Sequence, residues 1–442
     1  MTTQSQGLPS PYDCRPMPEP EHEPPPSRLD RRLGLADAVV IGLGSMIGAG
    51  VFAAIGPAAR AAGSGLLPGL AVAGLIAWCN ATSSAELAAI HPESGGTYVY
   101  GRERLGPFWG YLAGWSFVAG KLASCAAMAL TVGAYAAPEL ARPVALAAVA
   151  AVAAANYRGV AKTAAATRVL VALVLAALAA SVVAMLAGSR PGPTAANLLP
   201  LAGDGGLHGL LQAAGLLFFA FAGYARIATL GEEVADPART IPLAIPLALG
   251  ITLLVYATVS TAALLAVGPA ALAAAPAPLA AAVEEQGELA GLAPVVRAGA
   301  AVASLGVLLS LLAGVSRTVF AMAAAGDLPG RLAAVHPRFK VPHRAELAAG
   351  ALVGATVAVA DVRGAIGFSS MLVLVYYAVA NAAALTLTAA ERRWSRWLAV
   401  TGLAGCLVVA ASLPASSLAA GAIVLAGGAA IWLVRAGLAR GR

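Results

Sequence analysis

Four glycines lie within nine positions of an apolar segment, at residues 42, 44, 48 and 50. Each glycine destabilises a helix interior by about 1 kcal/mol relative to alanine, so this spacing favours an unwound stretch within the segment. Such a break exposes N–H groups at the start of one half-helix and C=O groups at the end of the other. These groups attract a carboxylate and an ammonium, respectively. The alternative interpretation is close packing against a neighbouring helix.

A second apolar segment, residues 218–226, contains a glycine at position 223. Its helix is predicted to break near Ala222 and Gly223, which exposes a second set of half-helix ends. If the two breaks lie together, a carboxylate and an ammonium both find backbone partners there. A zwitterionic amino acid carries these two groups on one carbon atom.

Lys121 lies in the middle of a long uncharged segment and shares one helix face with Cys125 and Met128. A lysine inside a membrane is destabilising unless it faces a cavity or a partner. Four roles are open for it: a proton-carrying site, a counter-charge for an acidic side chain of a ligand, a fixed cation in place of sodium, or a partner of a structural carboxylate.

Arg226 follows the second break and lies close in sequence to Glu232 and Glu233. Arginine stays charged in proteins, so it is not a proton carrier. Its open roles are a salt bridge in a gate, a contact to the substrate, or an anchor at the helix end. Because two cations lie within the apolar segments and no Asp or Glu lies in mid-membrane, a cationic amino acid is a less natural ligand than a neutral or acidic one.

The composition excludes most classes of soluble protein. Of 442 residues, 60% are hydrophobic and 11% charged, and the mean hydropathy is +0.81. Soluble domains average roughly 45–50% apolar and about 25% charged residues. This composition is typical of a membrane protein, in which lysines and arginines collect in the cytoplasmic loops. The net charge of +7 is therefore not evidence of nucleic-acid binding. No HExxH or GxSxG motif and no paired intramembrane aspartate occurs, so no catalytic residue is expected. The cysteines and histidines show no metal-ligand spacing, so neither a metal nor a cofactor is expected.

Charges and Gly/Pro clusters divide the sequence into twelve predicted transmembrane helices of an all-α protein, since about 20 apolar residues cross a bilayer. These helices span 35–58, 67–90, 106–137, 143–157, 165–188, 207–231, 241–267, 294–324, 345–360, 365–389, 396–413 and 418–436. With both termini cytoplasmic, 21 lysines and arginines fall inside and 5 outside, in agreement with the positive-inside rule. The proline-rich residues 1–32 are predicted to form a disordered cytoplasmic tail.

The two predicted breaks lie in the first and sixth helices, where an inverted five-helix repeat would bring them to one site. Here the sequence resembles the amino acid–polyamine–organocation superfamily of secondary transporters, from about residue 30 to 436. Four stretches carry the resemblance: 48–52 (GAGVF), 86–100, 231–242 (GEEVADPARTIP) and 316–337. The resemblance implies two inverted repeats, residues 33–190 and 205–390, with broken helices 1 and 6, plus two peripheral helices in 391–442.

The resemblance also implies a substrate site at the breaks, with the α-carboxylate on backbone N–H groups and the α-amine on backbone carbonyls. The implied N–H groups belong to Ala49, Gly50 and Val51. The implied carbonyls belong to Met46, Phe219, Ala220 and Ala222. The full candidate substrate-binding set is Met46, Ile47, Gly48, Ala49, Gly50, Val51, Phe219, Ala220, Ala222, Gly223, Cys125 and Met128. The candidates for coupling or gating are Lys121, Arg226, Glu232 and Glu233.

Many proton-coupled members of the superfamily carry a lysine in the fifth helix, and Val174 occupies that position here. The coupling mechanism therefore cannot be carried over, and Lys121 is a candidate replacement. The expected function is a secondary active transporter of amino acids or related small amines in the cell membrane, working by alternating access. Proton symport is the first interpretation, amino acid exchange the alternative, and a non-transporting sensor a third. The expected partners are the small-molecule substrate, protons and the lipid bilayer, without nucleic acid.

Overall fold

A computed structural model describes residues 33–48, 50–91, 95–159, 164–188, 194–201, 205–228 and 233–440. The predicted tail at 1–32 lies outside the described residues. Within these ranges the regular structure is helical, apart from one isolated parallel β-bridge between Leu33 and Val234. Nine helical stretches of the described part are long and apolar enough to cross a membrane. The chain is therefore a multi-pass helical membrane protein, as its composition predicts.

The helices of the first half are α1 (Leu35–Met46), α2 (Gly50–Ala62), α3 (Leu66–Ile90), α4 (Thr97–Leu105), α5 (Pro107–Ala136), α6 (Ala141–Tyr157) and α7 (Ala164–Ala187). Those of the second half are α8 (Gly206–Phe221), α9 (Ala225–Ala228), α10 (Pro237–Ala274), α11 (Pro278–Glu284), α12 (Ala293–Ala324), α13 (His343–Val359), α14 (Val362–Leu385), α15 (Arg396–Ala411) and α16 (Ala415–Arg440).

Each of the twelve predicted ranges coincides with one of these helices or with a consecutive pair. The pair α1 and α2 covers the first range, and α8 and α9 cover the sixth as far as its last residues, 229–231, which lie outside the described part. The helices α4 and α11 fall in predicted loops, and both are too short to cross a bilayer. The number of membrane crossings and the inverted repeat stay predictions.

The centre of the molecule is formed by α5, which packs against α12 and α14. Small residues on α5 allow this close approach. A Cβ atom added at Gly114 would lie 2.9 Å from Sδ of Met322, and one added at Gly120 would lie 3.1 Å from Cβ of Leu372. Of the interrupted helices, α1 packs on α10 and α2 packs on α8. Lys121 of α5 lies beside the second break, where it contacts Ala222.

The helix ends form two faces of the molecule. We call the face with Arg60, Arg142 and Asp361 the vestibule face, because one cavity collects these residues. We call the opposite face, which includes Arg102 and Arg104, the basic face. Ion pairs tie helices together at the basic face: Arg102 to Asp327 at 2.5 Å, and Arg104 to Glu391 at 2.6 Å.

Glu391, the partner of Arg104, lies in the connection between α14 and α15. The hydrogen bond from Arg104 lowers the pKa of the Glu391 carboxyl to about 2, with further hydrogen bonds from Thr388 acting in the same direction. The carboxylate therefore stays charged throughout the physiological range of pH. It fastens the α14–α15 connection to the end of α4.

Candidate functional site

The first predicted helix is interrupted between Met46 and Gly50. The last turn of α1 closes with a hydrogen bond of 2.7 Å from the N–H of Ile47 to the carbonyl of Leu43. The next helix, α2, begins at Gly50. The interruption lies where the glycine spacing predicts it, because glycine weakens the helix on both sides of this point. Ala49 lies outside the described residues.

The second interruption faces the first. The α-helical part of α8 ends at Phe221, and a single 3₁₀ turn, Ala222–Tyr224, leads into α9. Within this turn, a Cβ atom at Gly223 would lie 2.3 Å from the carbonyl oxygen of Ser45, so only glycine fits against the end of α1. At Gly50 a Cβ atom would lie 2.6 Å from Cα of Ala220. The two breaks are therefore in direct contact.

The hydroxyl group of Tyr256 on α10 joins the two interrupted helices. It lies within hydrogen-bond distance of the Met46 carbonyl and 3.0 Å from the Ala220 carbonyl. A hydroxyl has one proton to donate, so the two carbonyls share a single donor. Tyr256 is 2% exposed, so water does not replace this donor. The carbonyl ends of α1 and α8 are thus held together by one buried tyrosine.

Lys121 lies at the second break. Its Nζ donates to the carbonyl of Ala222 over 3.2 Å and lies 5.9 Å from the centre of the Phe117 ring. The side chain is buried. Within the described ranges no carboxylate forms an ion pair with it. Of the four roles open to Lys121, pairing with a structural carboxylate therefore finds no support in the described part.

A small central pocket lies between the breaks. Its volume is about 20 Å³, which is room for a water molecule but not for an amino acid. A larger cavity of about 280 Å³ shares Lys121, Gly223 and other lining residues with this pocket. The larger cavity extends toward the basic face, where its lining includes Arg226 and Arg317. We call these two spaces the central pocket and the inner cavity.

A third space, of about 340 Å³, lies at the vestibule face, and we call it the outer vestibule. Phe52 and Tyr135 line it on the side of the breaks. The Tyr135 hydroxyl donates to the Phe52 carbonyl over 3.0 Å, and the two rings pack edge to face. Among the described residues, the outer vestibule shares no lining residue with the central pocket, whereas the inner cavity shares several. The breaks are therefore reached from the inner cavity in this conformation.

Most of the predicted binding residues line these spaces. Those in the lining of the central pocket or the inner cavity are Met46, Gly50, Met128, Phe219, Ala220, Ala222 and Gly223. Ile47 and Gly48 instead line a separate apolar space of about 10 Å³ beside α7. Val51 and Cys125 are buried outside the linings of the pocket and the cavity. That any of these residues binds substrate stays a prediction, as it does for Ala49.

Three of the four coupling or gating candidates come together in the inner cavity: Lys121, Arg226 and Glu233. Glu232 lies outside the described residues. Val174 occupies the position at which many proton-coupled members of the superfamily carry a lysine. It lines the small apolar space that also borders Gly48. The described residues that line that space are all uncharged, in contrast to those of the inner cavity.

Two tyrosines of this region were not predicted from the sequence. Tyr256 bridges the breaks, and the Tyr377 hydroxyl lies 3.4 Å from the Ala222 carbonyl, which also accepts from Lys121. Each tyrosine lies in an apolar helix, where aromatic residues commonly pack in the core. Nothing in the sequence therefore distinguishes these two tyrosines from ones that only pack. Together these features define a polytopic membrane protein with a cavity that leads to two interrupted helices.

Residues 37–433 match the amino acid permease family. The chain is 63% identical to an uncharacterized transporter of Mycobacterium tuberculosis over 413 residues, 93% of this chain and 92% of that protein. It is 27% identical to a branched-chain amino acid permease of Bacillus subtilis over 379 residues, 80% of each chain. It is 29% identical to cationic amino acid transporter 4 of Homo sapiens over 373 residues, 79% of this chain and 58% of that one. The chain therefore belongs to the amino acid permease family, which confirms the resemblance.

Proposed function

We propose that this protein is a secondary active transporter that carries an amino acid across the cell membrane by alternating access. One observation carries the proposal: two interrupted helices meet at Gly50, Ala220 and Gly223, at the end of a cavity that leads from the basic face. The carbonyls and N–H groups of such breaks suit the two charged groups of an amino acid. Membership of the amino acid permease family supports the substrate class.

The proposed arrangement has twelve transmembrane helices in two inverted repeats of five plus two peripheral helices, with both termini in the cytoplasm. The excess of lysine and arginine at the basic face supports this orientation. The inner cavity then faces the cytoplasm, and the pair Phe52–Tyr135 closes the site toward the outside. Transport requires an opposite state in which this aromatic pair separates and the inner cavity closes.

The proposed energy source is proton symport, with Lys121 as the proton-carrying residue. Lysine changes its protonation state readily when buried, whereas the neighbouring Arg226 stays charged. The Lys121 ammonium donates to the Ala222 carbonyl, so loss of the proton replaces a charge-assisted hydrogen bond at the second break by a weaker, neutral one. Protonation and the conformation of the break are thereby linked. The absence of an ion pair to Lys121 in the described ranges supports this role over a structural one.

The test is uptake of radiolabelled amino acids into proteoliposomes in sodium-free buffer, with and without an inward proton gradient. We expect concentrative uptake that collapses with a protonophore. The variant Lys121→Met should abolish the response to the proton gradient, while Lys340→Met, the same change at an exposed lysine, should leave it intact. Uptake only into liposomes preloaded with amino acid would make the protein an exchanger. No uptake of any amino acid would refute the transport proposal itself.

A further inference from the structure

Lys121 differs from the other cations that line the inner cavity. Arg226 interacts electrostatically with Glu233, and Arg317 with Glu346. Lys121 has neither an ion pair nor another electrostatic interaction with a carboxylate of the described part. Among the described residues, the inner cavity therefore leaves one positive charge uncompensated, that of Lys121 at the second break.

The position of this charge matters for the substrate. Lys121 lines both the central pocket and the inner cavity, so its Nζ is the cation that a molecule at the breaks meets first. An amino acid with an uncharged side chain brings no net charge and leaves the lysine uncompensated. A cationic side chain would add a second positive charge to the same buried region. A second carboxylate would instead form a charge-assisted hydrogen bond, which is the strongest class of such bonds in a site away from water.

The outer vestibule also carries an excess of positive charge, which is an observation independent of Lys121. Of the residues that the structure describes, three arginines and a single carboxylate line it: Arg60, Arg142, Arg363 and Asp361. The guanidinium groups donate to backbone carbonyls and to a glutamine side chain, all of them uncharged. In the described part, no ion pair joins any of the three to a carboxylate. A cleft lined by one sign of charge concentrates ligands of the opposite sign.

We infer that the transported amino acid carries a second carboxylate, as glutamate and aspartate do, and that Lys121 binds this side-chain carboxylate. The inference rests on the proposed transport function, because it names the substrate class of the same site. The α-carboxylate and the α-amine would use the breaks, as proposed above. The side-chain carboxylate would use Lys121, and the outer vestibule would collect the anion before it reaches the site.

The matched pair of glutamate and glutamine tests this inference, because the two differ by a carboxylate against a carboxamide of nearly equal size. Initial rates of uptake into proteoliposomes are measured for both, with leucine and arginine alongside. We expect kcat/KM for glutamate to exceed that for glutamine by a factor of about ten or more, because glutamate gains a hydrogen bond between two charged groups. Uptake of leucine or arginine without glutamate would overturn the inference and leave the transport function standing. No uptake of any amino acid would refute both.

Variants of Lys121 and Arg142 then show which residues recognise the side-chain carboxylate. Lys121→Met should bring the glutamate-to-glutamine ratio close to one, whereas Lys121→Arg retains the charge and should retain a preference for glutamate. Arg142→Gln in the outer vestibule should raise KM for glutamate more than for glutamine, with an effect that shrinks at high salt. Lys340→Met is the control. A properly folded Lys121→Met variant that keeps the full ratio would show that Lys121 does not bind the side chain, and would overturn that assignment.

Discussion

Replacing Gly50 with alanine should disable transport while the protein still folds. The added Cβ atom would lie 2.6 Å from Cα and Cβ of Ala220 and 3.2 Å from the Tyr256 hydroxyl. Carbon atoms pack at about 3.5–4.0 Å, so the contact with Ala220 is about 1 Å too short. The obstructing atoms belong to the backbone and to a Cβ, neither of which can rotate away. The two breaks must therefore separate by a distance of this order.

Overpacking of this kind destabilises a protein by about 1–3 kcal/mol. A misplacement of about 1 Å in a site that positions a ligand reduces function by about 10²-fold. We therefore expect Gly50→Ala to lower the initial rate of uptake by about two orders of magnitude at a given amount of folded protein. Monodisperse elution from a sizing column establishes that the variant is folded.

The chain offers a matched control in Gly250→Ala. This glycine also lies in a helix, α10, and an added Cβ atom would meet nothing within 4 Å. Because alanine is the better helix former, Gly250→Ala should transport normally and be at least as stable as the unmodified protein. Normal uptake by Gly50→Ala would refute the claim that contact between the two breaks forms the site.

Two further predictions follow from hydrogen bonds at the break and at the basic face. Tyr256→Phe removes the donor shared by Met46 and Ala220, so it should destabilise the detergent-solubilised protein by about 1–3 kcal/mol, seen as a lower melting temperature; an unchanged melting temperature would contradict this. Glu391→Gln should lower the melting temperature at pH 7, because Arg104 lowers the pKa of Glu391 to about 2. The stabilisation is complete above the ordinary carboxyl pKa and is lost as pH falls toward 2, so the difference between the two proteins should shrink below about pH 4.5. A difference that stays constant down to pH 3 would contradict it.

The positions of the helices could be predicted from the sequence because each is delimited by charges or by Gly/Pro clusters. The first break could be predicted as well, since the four glycines of residues 42–50 weaken a helix regardless of its packing partners. The short helices α4 and α11 could not. Their lengths of 9 and 7 residues are too small for a clear hydrophobic period, so tertiary contacts decide their conformation.

The site could be predicted only in part. The contact between Gly223 and Ser45 depends on how two distant segments pack, and the sequence pattern of either segment does not contain it. The same holds for Tyr256, whose hydroxyl reaches carbonyls far away in the chain. Lys121 was recognisable because a charge inside an apolar helix is rare. Its partner, the carbonyl of Ala222, is a backbone atom and has no signature in the sequence.

In the proposed mechanism, the two interrupted helices bind the transported amino acid. A structure determined by electron cryomicroscopy with that amino acid bound would show whether they do. We expect ligand density between Gly50 and Gly223, with the amino nitrogen within about 3.2 Å of a carbonyl at one of the breaks. The central pocket, now about 20 Å³, should be enlarged in that state. Density in the outer vestibule alone, with the central pocket unchanged at saturating ligand, would show that the breaks do not bind the substrate.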